Sequence, residues 1–382
     1  EAYFQEAGRG GRDGKRSFAV LLWSRTDVSR LHRITTVSFP QLEYIEDIYH
    51  KVHQFFEIPY DTGAGRQLKF DLDAFCGHFK LQRQSAYYAL VYIERTGHWT
   101  LSEDVEISTS GAISLSDSGS SNCYIVSEEG TYSFASVKGN SSESVGTIAA
   151  VEVLWESFGT DETPSVGDLV QAVKYENGQI YFKTAESFHE GNAVIAAKNS
   201  SDEILWSWHI WMTDKPQVQI YPNNAGSMLD RNLGATSATP GDVGSLGLLY
   251  QWGRKDPFLA SSSVNSNAEA RSTITWPSAV SSDYSVGTIE FTSQHPTTFI
   301  VCNSGNHDWY YTGSSGTDDT RWHSVKTIYD PCPLGYRVAT RDIWKGFSKT
   351  EETTSNDGIN ASGSFDEGWN FVYDQSNTTW YP

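Results

Sequence analysis

The stretch Ile204-Leu205-Trp206-Ser207-Trp208-His209-Ile210-Trp211 decides the fold of most of this chain. Successive side chains of a strand point to opposite faces of its sheet. Large side chains occupy both faces here, because tryptophans occur at even and odd positions. A strand of this kind is typical of the centre of a sheet that is covered on both sides. The sequence therefore predicts a central strand that is buried on both faces.

Two hairpins are predicted around this strand. The alternating runs 169–175 and 179–184 flank Asn177-Gly178, and Asn-Gly in that position is a strong hairpin signal. The run 193–197 leads into the central strand across a polar turn at 199–202. Few segments beyond residue 107 show the period of a helix. We expect an antiparallel β-sandwich followed by a loop-rich β module.

Charge divides the 382 residues into two unlike parts. Residues 1–106 carry 13 Lys and Arg against 15 Asp and Glu, a net charge of −2, which leaves −17 of the total of −19 for the remainder. A surface that binds nucleic acid needs clustered positive charge. A DNA partner is therefore expected for residues 1–106 and excluded for the acidic remainder.

The first part has helical patterns. A helix is predicted after Pro40, a second one after the N-cap residue Asp71, and a third over 82–96 that ends at Gly97. A strand is predicted over 98–101. The residues expected to form the apolar faces of the first and third helices are Leu42, Ile45, Ile48, Val52, Phe55, Phe56, Ala86, Leu90 and Ile93. This order of elements is that of a winged helix.

The N-terminal string Tyr3-Phe4-Gln5-Glu6-Ala7-Gly8-Arg9-Gly10-Gly11-Arg12-Asp13-Gly14 resembles motif VI of RecQ-family DNA helicases. The runs 21–24 (LLWS) and 70–76 (FDLDAFC) extend the resemblance over residues 1–106, especially to the shortened forms of Bacteroidetes. Gly10 replaces the usual alanine, and the four-cysteine zinc module of many family members is missing. The alternative for the Arg-Gly string is a solvated basic loop.

The resemblance implies roles for particular residues. Gln5, Arg9 and Arg12 would face an ATP site, where a guanidinium stabilises the charge on the transferred phosphate. The implied DNA-facing residues are Arg83, Gln84 and Arg95 on the third helix, with His98 at the tip of a wing. The alternative for that helix is a plain bundle in which Tyr87 and Tyr88 fill the core.

The sequence lacks the other half of an ATPase site. It contains no G-x-x-x-x-G-K-S/T string and no Asp-Glu-x-His box. ATP and Mg²⁺ are therefore expected as cofactors only if a helicase core is supplied. We expect no ATPase activity from this chain alone.

Residues 108–382 resemble fimbrillin-like surface proteins of Bacteroidetes. The strings that carry the resemblance are 122–126 (NCYIV), 204–211 (ILWSWHIW), 228–235 (MLDRNLGA), 247–254 (GLLYQWGR) and 330–337 (DPCPLGYR). The last three are also similar to the Fibrobacter succinogenes major paralogous domain. Such proteins are exported or lipid-anchored and are associated with adhesion, which implies a carbohydrate or protein ligand. The sequence shows no signal peptide, no lipobox and no apolar run long enough to span a membrane.

Other candidate sites in the acidic part are weaker. Cys302 and Cys332 can pair in an oxidising compartment. The polar loops at 318–319 and 356–358 lack the spacing of an EF-hand for calcium. The aromatic run 309–311 and Trp322 can stack on sugar rings or can fill a loop-rich core. The five histidines of this part are scattered without metal-ligand spacing.

The sequence thus predicts a multidomain α+β chain. The expected segments are 1–36 (the end of a helicase ATPase core), 37–106 (a winged-helix-like domain), 107–121 (a Ser/Gly linker), 122–215 (a fimbrillin-like β-sandwich) and 216–382 (a Gly/Trp-rich β module). The expected function is the C-terminal part of a RecQ-type 3'-5' DNA helicase, which is cytoplasmic, joined to a surface β module. The alternative is a cell-surface adhesion or binding protein with an inert helicase-derived extension.

Overall fold

The computed structural model divides the chain into two compact units, one formed by Glu1–Gly63 with Leu68–Ser102 and one formed by Ala64–Gln67 with Glu103–Pro382. It describes residues 39–60, 68, 70–99, 101, 107–221, 224–302, 308–311, 313 and 320–347, and the backbone of three strands within 361–381. The predicted strand 17–23 and the whole motif VI string lie outside the described residues. The fold is α+β, with helices in the first unit and mainly strands in the second.

The described part of the first unit, called the helical unit below, contains three helices. They are α1 (Leu42–Phe55), α2 (Leu72–Phe79) and α3 (Arg83–Arg95). The Asp71 carboxylate accepts hydrogen bonds from two amides at the start of α2, both at 2.9 Å, which confirms the predicted cap. Gly97 adopts a φ of +80° two residues after α3, a conformation that favours glycine.

A small apolar core joins the three helices. Its fully buried members are Ile48, Phe75, Cys76, Ala86, Ala89, Leu90 and Ile93. The predicted core residues of α3 are confirmed, whereas Leu42 at the start of α1 is 65% exposed. Tyr87 is exposed and Tyr88 is half-buried, so the bundle in which both tyrosines fill the core is not observed.

The strand predicted over 98–101 is wrong for the residues of this segment that the structure describes. His98 lies in a bend, and neither Trp99 nor Leu101 belongs to a strand. The Trp99 indole N–H donates to the Leu90 carbonyl oxygen at 3.3 Å, so the chain folds back against α3. This contact with the helix takes the place of the wing.

The second unit, called the β unit below, consists mainly of strands. They are β1 (Ile113–Ser114), β2 (Cys123–Val126), β3 (Thr131–Ala135), β4 (Ala150–Ser157), β5 (Val170–Glu176), β6 (Gln179–Thr184), β7 (Gly191–Lys198), β8 (Ile204–Met212), β9 (Val218–Tyr221), β10 (Gly226–Leu229), β11 (Leu249–Tyr250), β12 (Pro257–Phe258), β13 (Val280–Ser281), β14 (Ile300–Val301), β15 (Ala361–Ser364), β16 (Gly368–Val372) and β17 (Thr378–Tyr381). A short helix α4 (Ile289–Gln294) and 3₁₀ turns at Val243–Ser245 and Arg341–Phe347 complete the described elements.

Two four-stranded sheets form the sandwich. Sheet A has the order β1-β3-β6-β5, and sheet B has the order β2-β8-β7-β4. Both predicted hairpins are confirmed, because β5 pairs with β6 and β7 pairs with β8 in antiparallel register. The sheets are mixed, however, since β1 pairs with β3 and β2 pairs with β8 in parallel. These two parallel pairs join segments that are not neighbours in the chain, because a tight turn cannot connect parallel strands.

The main core lies between the two sheets. Phe134, Ile180 and Phe182 of sheet A meet Trp208 and Ile210 of sheet B there, all of them buried. Phe134 and Trp208 approach to a ring-centroid distance of 5.3 Å. This is the packing of a β-sandwich, in which alternate residues of each sheet face inward.

A loop-rich segment covers the opposite face of sheet B. We call the described residues of 230–335 the covering segment. The Trp211 indole N–H donates to the Ala235 carbonyl oxygen at 2.9 Å, and Trp155 packs with Leu248 in a second apolar cluster. Strand β8 is consequently buried along seven successive residues. This confirms the central strand that is covered on both faces.

One further expectation differs from the structure, and one pairing that the sequence allows is not observed. The predicted linker 107–121 is partly built into the sandwich, since β1 pairs with β3 and Leu115 packs against the core. No disulfide joins Cys302 and Cys332, both of which the structure describes. Among the described residues, no helix combines the length and the apolar character that a membrane crossing requires.

Candidate functional site

The outer face of α3 carries the predicted DNA-facing residues of the helix. Arg83 and Gln84 lie in its first turn and Arg95 in its last, all three exposed. At 100° per residue Gln84 and Arg95 lie within about 20° of each other around the helix, whereas Arg83 lies about 100° from Gln84 and about 20° from the direction of the buried Leu90. A rise of 1.5 Å per residue separates the two arginines by about 18 Å along the axis. The helix therefore presents two cationic ends rather than one cluster.

Each arginine already has a partner within the helical unit. Arg83 Nε lies 2.6 Å from an Asp73 carboxylate oxygen, and both side chains are largely exposed. The Arg95 guanidinium lies 5.5 Å from the centre of the Tyr92 ring. Between them Tyr87 is 49% exposed. The described residues of the unit hold 4 Lys and Arg against 7 Asp and Glu, so any positive surface is local to this face.

His98 is placed apart from that face. Its ring packs against Tyr49 of α1 at a centroid distance of 5.1 Å. Tyr49 also contacts His53 and stacks on Trp99. His98 thus belongs to an aromatic cluster between the helices, and its side chain remains exposed. The predicted ATP-site residues Gln5, Arg9 and Arg12 lie outside the described residues.

A layer of polar side chains is buried between sheet B and the covering segment. His209 Nε2 lies 2.9 Å from Asn192 Oδ1, and Asn192 donates to the Gly234 carbonyl oxygen at 2.9 Å. Cys123 is the register partner of His209 across β2 and β8. Tyr250 approaches the other ring nitrogen of His209 at 3.5 Å. A thiol, an imidazole and an amide thus occur in the order that cysteine hydrolases use.

The burial of this layer opposes nucleophilic chemistry. Cys123, His209 and Asn192 are each at most 2% exposed. Burial raises the pKa of the Cys123 thiol far above its usual value and lowers the pKa of His209 to about 3. At neutral pH both groups are therefore uncharged, whereas a reactive cysteine needs a thiolate beside a positive charge. We interpret the layer as a support for the covering segment.

A second buried polar cluster lies on the same face of β8. Lys255 Nζ donates to Ser207 Oγ and to Asp256 Oδ1, both at 2.5 Å, and lies 4.5 Å from the centre of the Trp206 ring. Ser207 Oγ donates in turn to Asp256 at 2.6 Å. All three members are at most 3% exposed. A buried charge that is paired and hydrogen-bonded in this way fixes packing, and no substrate can reach it.

An open groove in the β unit is the best candidate for a ligand site. Its cavity volume is about 580 Å³. Its lining residues are Ser116, Gly119, Ser120, Ala135, Val137, Asn140, Ser141, Ser142, Lys326 and Leu334. Three chain segments meet there, and the Ser120 hydroxyl donates to the Ser141 carbonyl oxygen to join two of them. Small hydroxyl side chains with two or three apolar ones favour a neutral polar ligand.

Asn140 carries a buried polar atom beside this groove that has no hydrogen-bond partner. Its amide nitrogen donates to the Thr327 carbonyl oxygen at 2.7 Å, while its Oδ1 atom is buried without a hydrogen-bond partner. Buried acceptors are nearly always satisfied, so this oxygen is the unusual polar atom beside the groove. Lys326 lines the same groove, but its ammonium donates to the Cys332 and Pro333 carbonyl oxygens.

The aromatic run 309–311 mainly fills the loop core. Trp309 is 4% exposed, and the Arg321 guanidinium lies 4.6 Å from its ring centre. Trp322 is half-buried and donates to the Tyr329 carbonyl oxygen at 2.9 Å. Trp252, whose ring centre lies 5.0 Å from that of Trp322, is 48% exposed. The core interpretation of this run is therefore favoured over a sugar-stacking platform.

The described residues contain no group of three or more His, Cys, Asp and Glu that could hold a metal ion. Both polar loops considered for calcium, at 318–319 and 356–358, lie outside the described residues. His189, His295 and His323 are exposed at separate places.

Sequence reasoning missed the groove and both buried polar clusters. Each is assembled from segments far apart in the chain, such as the 187 residues that separate Asn140 of the groove from its partner Thr327. A local signal was present only for Asn140, since an asparagine after Gly139 favours the left-handed conformation that it adopts, with a φ of +61°.

No protein-family model matches this chain, and neither a curated protein nor a solved structure matches it.

Proposed function

We propose that the chain carries two separate binding functions. Residues 1–106 act as the DNA-contacting C-terminal part of a RecQ-type 3'-5' helicase, in the cytoplasm, and residues 108–382 act as a surface-type β module. In this proposal Arg9, Arg12 and Gln5 serve ATP and Mg²⁺ only when a helicase core is supplied. The observation that supports the DNA function is the outer face of α3.

Phosphate is the part of DNA that this face can bind. A guanidinium is always charged and matches phosphate oxygens through paired N–H donors. The ion pair of Arg83 with Asp73 is exposed, and such a pair contributes about 0–1 kcal/mol, so phosphate can replace the carboxylate at little cost. Exposed Tyr87 between the two arginines offers a ring for stacking on a base.

Anisotropy of a fluorescent forked DNA, titrated with the full chain from 25 to 200 mM NaCl, tests this function. We expect binding that weakens steeply with salt, because each phosphate contact releases counterions. The double variant R83A/R95A should bind about tenfold more weakly and lower the salt slope by about 2.

The double variant K174A/K183A is the matched control, since it removes the same charge from the β unit. It should bind like the original chain. Absence of binding to forked and duplex DNA at 25 mM NaCl would contradict the DNA function, and so would equal weakening by both variants.

For the β unit we propose ligand binding in the groove at Asn140. The supporting observation is the buried Asn140 Oδ1 atom without a partner, beside serine hydroxyls. A carbohydrate fits this chemistry, because its hydroxyl groups donate to amide oxygens and accept from serines. A peptide segment, whose backbone N–H also donates, is the other occupant that the proposed surface role allows.

Binding of neutral oligosaccharides to an array, followed by calorimetry of the best one, tests the groove. Ser142→Trp places a large side chain in it and should abolish binding, while Ser201→Trp in the β7–β8 turn should leave binding unchanged. If a ligand binds both variants equally well, its binding site is outside the groove and the proposal for the groove is contradicted. The surface location is tested independently by treating intact cells with protease, since a chain that stays protected until lysis is not displayed.

A further inference from the structure

We propose that Cys123 and Cys332 form a disulfide when the chain folds under oxidising conditions, fastening β2 to the segment 328–335. Cys302, which the sequence allows as a partner of Cys332, is not a member of this pair. The inference concerns the β unit alone, and it stands whether or not the groove binds a ligand.

The backbone brings the two cysteines together. An isolated parallel bridge pairs Cys123 with Pro333, the residue directly after Cys332. Paired strands lie about 4.8 Å apart, and successive Cα atoms are 3.8 Å apart. Combined at right angles, these steps place the two cysteine Cα atoms about 6 Å apart, within the usual range of about 4.4–6.8 Å for a disulfide.

Neighbouring hydrogen bonds hold both segments in register. The Ser121 hydroxyl donates to the Cys332 carbonyl oxygen at 2.9 Å. The Asn122 amide nitrogen donates to the carbonyl oxygens of Ile328 at 2.7 Å and Asp330 at 2.9 Å. These bonds flank the pair on the β2 side and on the loop side. The backbone therefore holds the two cysteines beside each other from both sides.

Electrostatics indicate that the two thiols share one buried spot. Burial raises the pKa of both thiols, and Cys123 raises that of Cys332 further. The pKa of the Tyr250 hydroxyl is also raised, most of all by its burial and next by Cys123 and Cys332. Both sulfur atoms therefore lie close enough to this hydroxyl to act on it. A bond between them would remove two thiols whose ionisation this site disfavours.

The chemistry is a two-electron thiol–disulfide exchange with a small-molecule disulfide such as oxidised glutathione. The Cys332 thiol, which is partly exposed, loses its proton and attacks the glutathione disulfide, releasing one glutathione thiolate. The Cys123 thiol then loses its proton and attacks Cys332 Sγ, and the second glutathione leaves. Two protein thiols are oxidised, one glutathione disulfide is reduced, and two protons are taken up by the two glutathione thiolates.

Refolding of the full chain in a mixture of reduced and oxidised glutathione tests the proposal. After alkylation of remaining thiols, non-reducing proteolysis and mass spectrometry should find peptides of Cys123 and Cys332 joined together. Cys302→Ser should keep the cross-link, whereas Cys332→Ser should lose it. Reduction should lower the melting temperature of the original chain and of Cys302→Ser by about 5–10 °C. It should not change that of Cys332→Ser.

Two results would overturn the proposal. One is a cross-link between Cys302 and Cys332, and the other is alkylation of both Cys123 and Cys332 after refolding with oxidised glutathione. Should Cys332→Ser fail to fold, Cys332→Ala provides the same test, and the peptide map of the original chain decides the pairing without any variant.

Discussion

Sheets A and B of the sandwich face the same core, but their sequences differ because, among the described residues, only sheet B is covered on its other face. Strand β6 of sheet A alternates buried and half-buried residues along its length. Strand β8 of sheet B is buried at seven successive positions. The difference shows that periodicity reports how many faces of a strand are covered, in addition to the type of element.

The covering segment also determines which polar groups sheet B tolerates. Ser207, His209 and Asn192 lie on its covered face, and each has a hydrogen-bond partner. Lys183 on β6 has no such restriction, because its side chain reaches solvent beside Glu186. A buried polar group must be paired, whereas an exposed one is paired by water.

The largest expected effect is the loss of a tryptophan from the covered face. Trp211→Ala should lower the free energy of unfolding of the β unit by about 3–5 kcal/mol, because it leaves a cavity and unpairs the Ala235 carbonyl oxygen. Tyr181→Ala, on the outer face of sheet A, should cost about 1 kcal/mol or less. Urea unfolding monitored by circular dichroism measures both, and equal losses would contradict the difference between the sheets.

The next prediction concerns the pH dependence of stability, which tests whether the carboxylate of Glu156 in sheet B is shielded from water. Glu156 accepts hydrogen bonds from the amides of Gly167, Leu169 and Val170, yet burial raises its pKa to about 7. A raised pKa of an acid means that stability is complete below about pH 4.5 and is lost as the pH rises through about 7. The loss should be on the order of 2–3 kcal/mol.

Urea midpoints from pH 4.5 to pH 8 measure this dependence, and Glu156→Gln is the control because it cannot ionise. Its curve should lack the decline, whatever its absolute stability. A decline of the same size in both proteins would assign the pH dependence to other groups.

Asn122 provides a test of intermediate size. Its side chain donates to two carbonyl oxygens of the covering segment and accepts from the Trp206 indole N–H at 3.0 Å. Asn122→Ala should cost about 2–3 kcal/mol, because three buried groups lose their partner. Asn199→Ala, in the exposed β7–β8 turn, is the matched control and should cost about 1 kcal/mol or less. Thermal unfolding that ranks the two variants in the opposite order would contradict the role of Asn122.

The smallest expected effect concerns the turn of sheet A. Gly178 has a φ of +77° with nothing within 4 Å of an added Cβ atom. Gly178→Ala should therefore cost only the conformational strain, about 1 kcal/mol. Gly178→Asn should cost less, because asparagine tolerates this region. Calorimetric melting of both variants measures the difference, and a large loss in the asparagine variant would indicate a contact at this turn.

The predictable parts of the fold are those with local signals. Asn177-Gly178 identified the β5–β6 hairpin, Asp71 identified the start of α2, and the tryptophans of β8 identified a doubly covered strand. The strand predicted over 98–101 was wrong because Trp99 packs back on α3 and donates to the Leu90 carbonyl oxygen instead, a contact that no local pattern encodes. The parallel pairing of β2 with β8 was missed for the same reason.

The candidate site was less predictable than the fold. Arg83, Gln84 and Arg95 are exposed as their polarity predicts, but helical spacing places only Gln84 and Arg95 on the same side of α3. Their pairing with Asp73 and Tyr92 depends on side-chain geometry. The groove at Asn140 required the segment 326–334 to return to the sandwich, and only tertiary structure shows that.

The pairing of β2 with a strand near the end of the sandwich has a consequence for the order of folding. Cys123 of β2 pairs with His209 of β8, 86 residues further along the chain. At a synthesis rate of about 5–20 residues per second, β2 waits about 4–17 s on the ribosome before that partner exists. The β5–β6 hairpin, whose contacts are local, can form in the meantime. During this interval β2 presents an unpaired apolar edge, and a chaperone that shields short β segments would have its longest opportunity there.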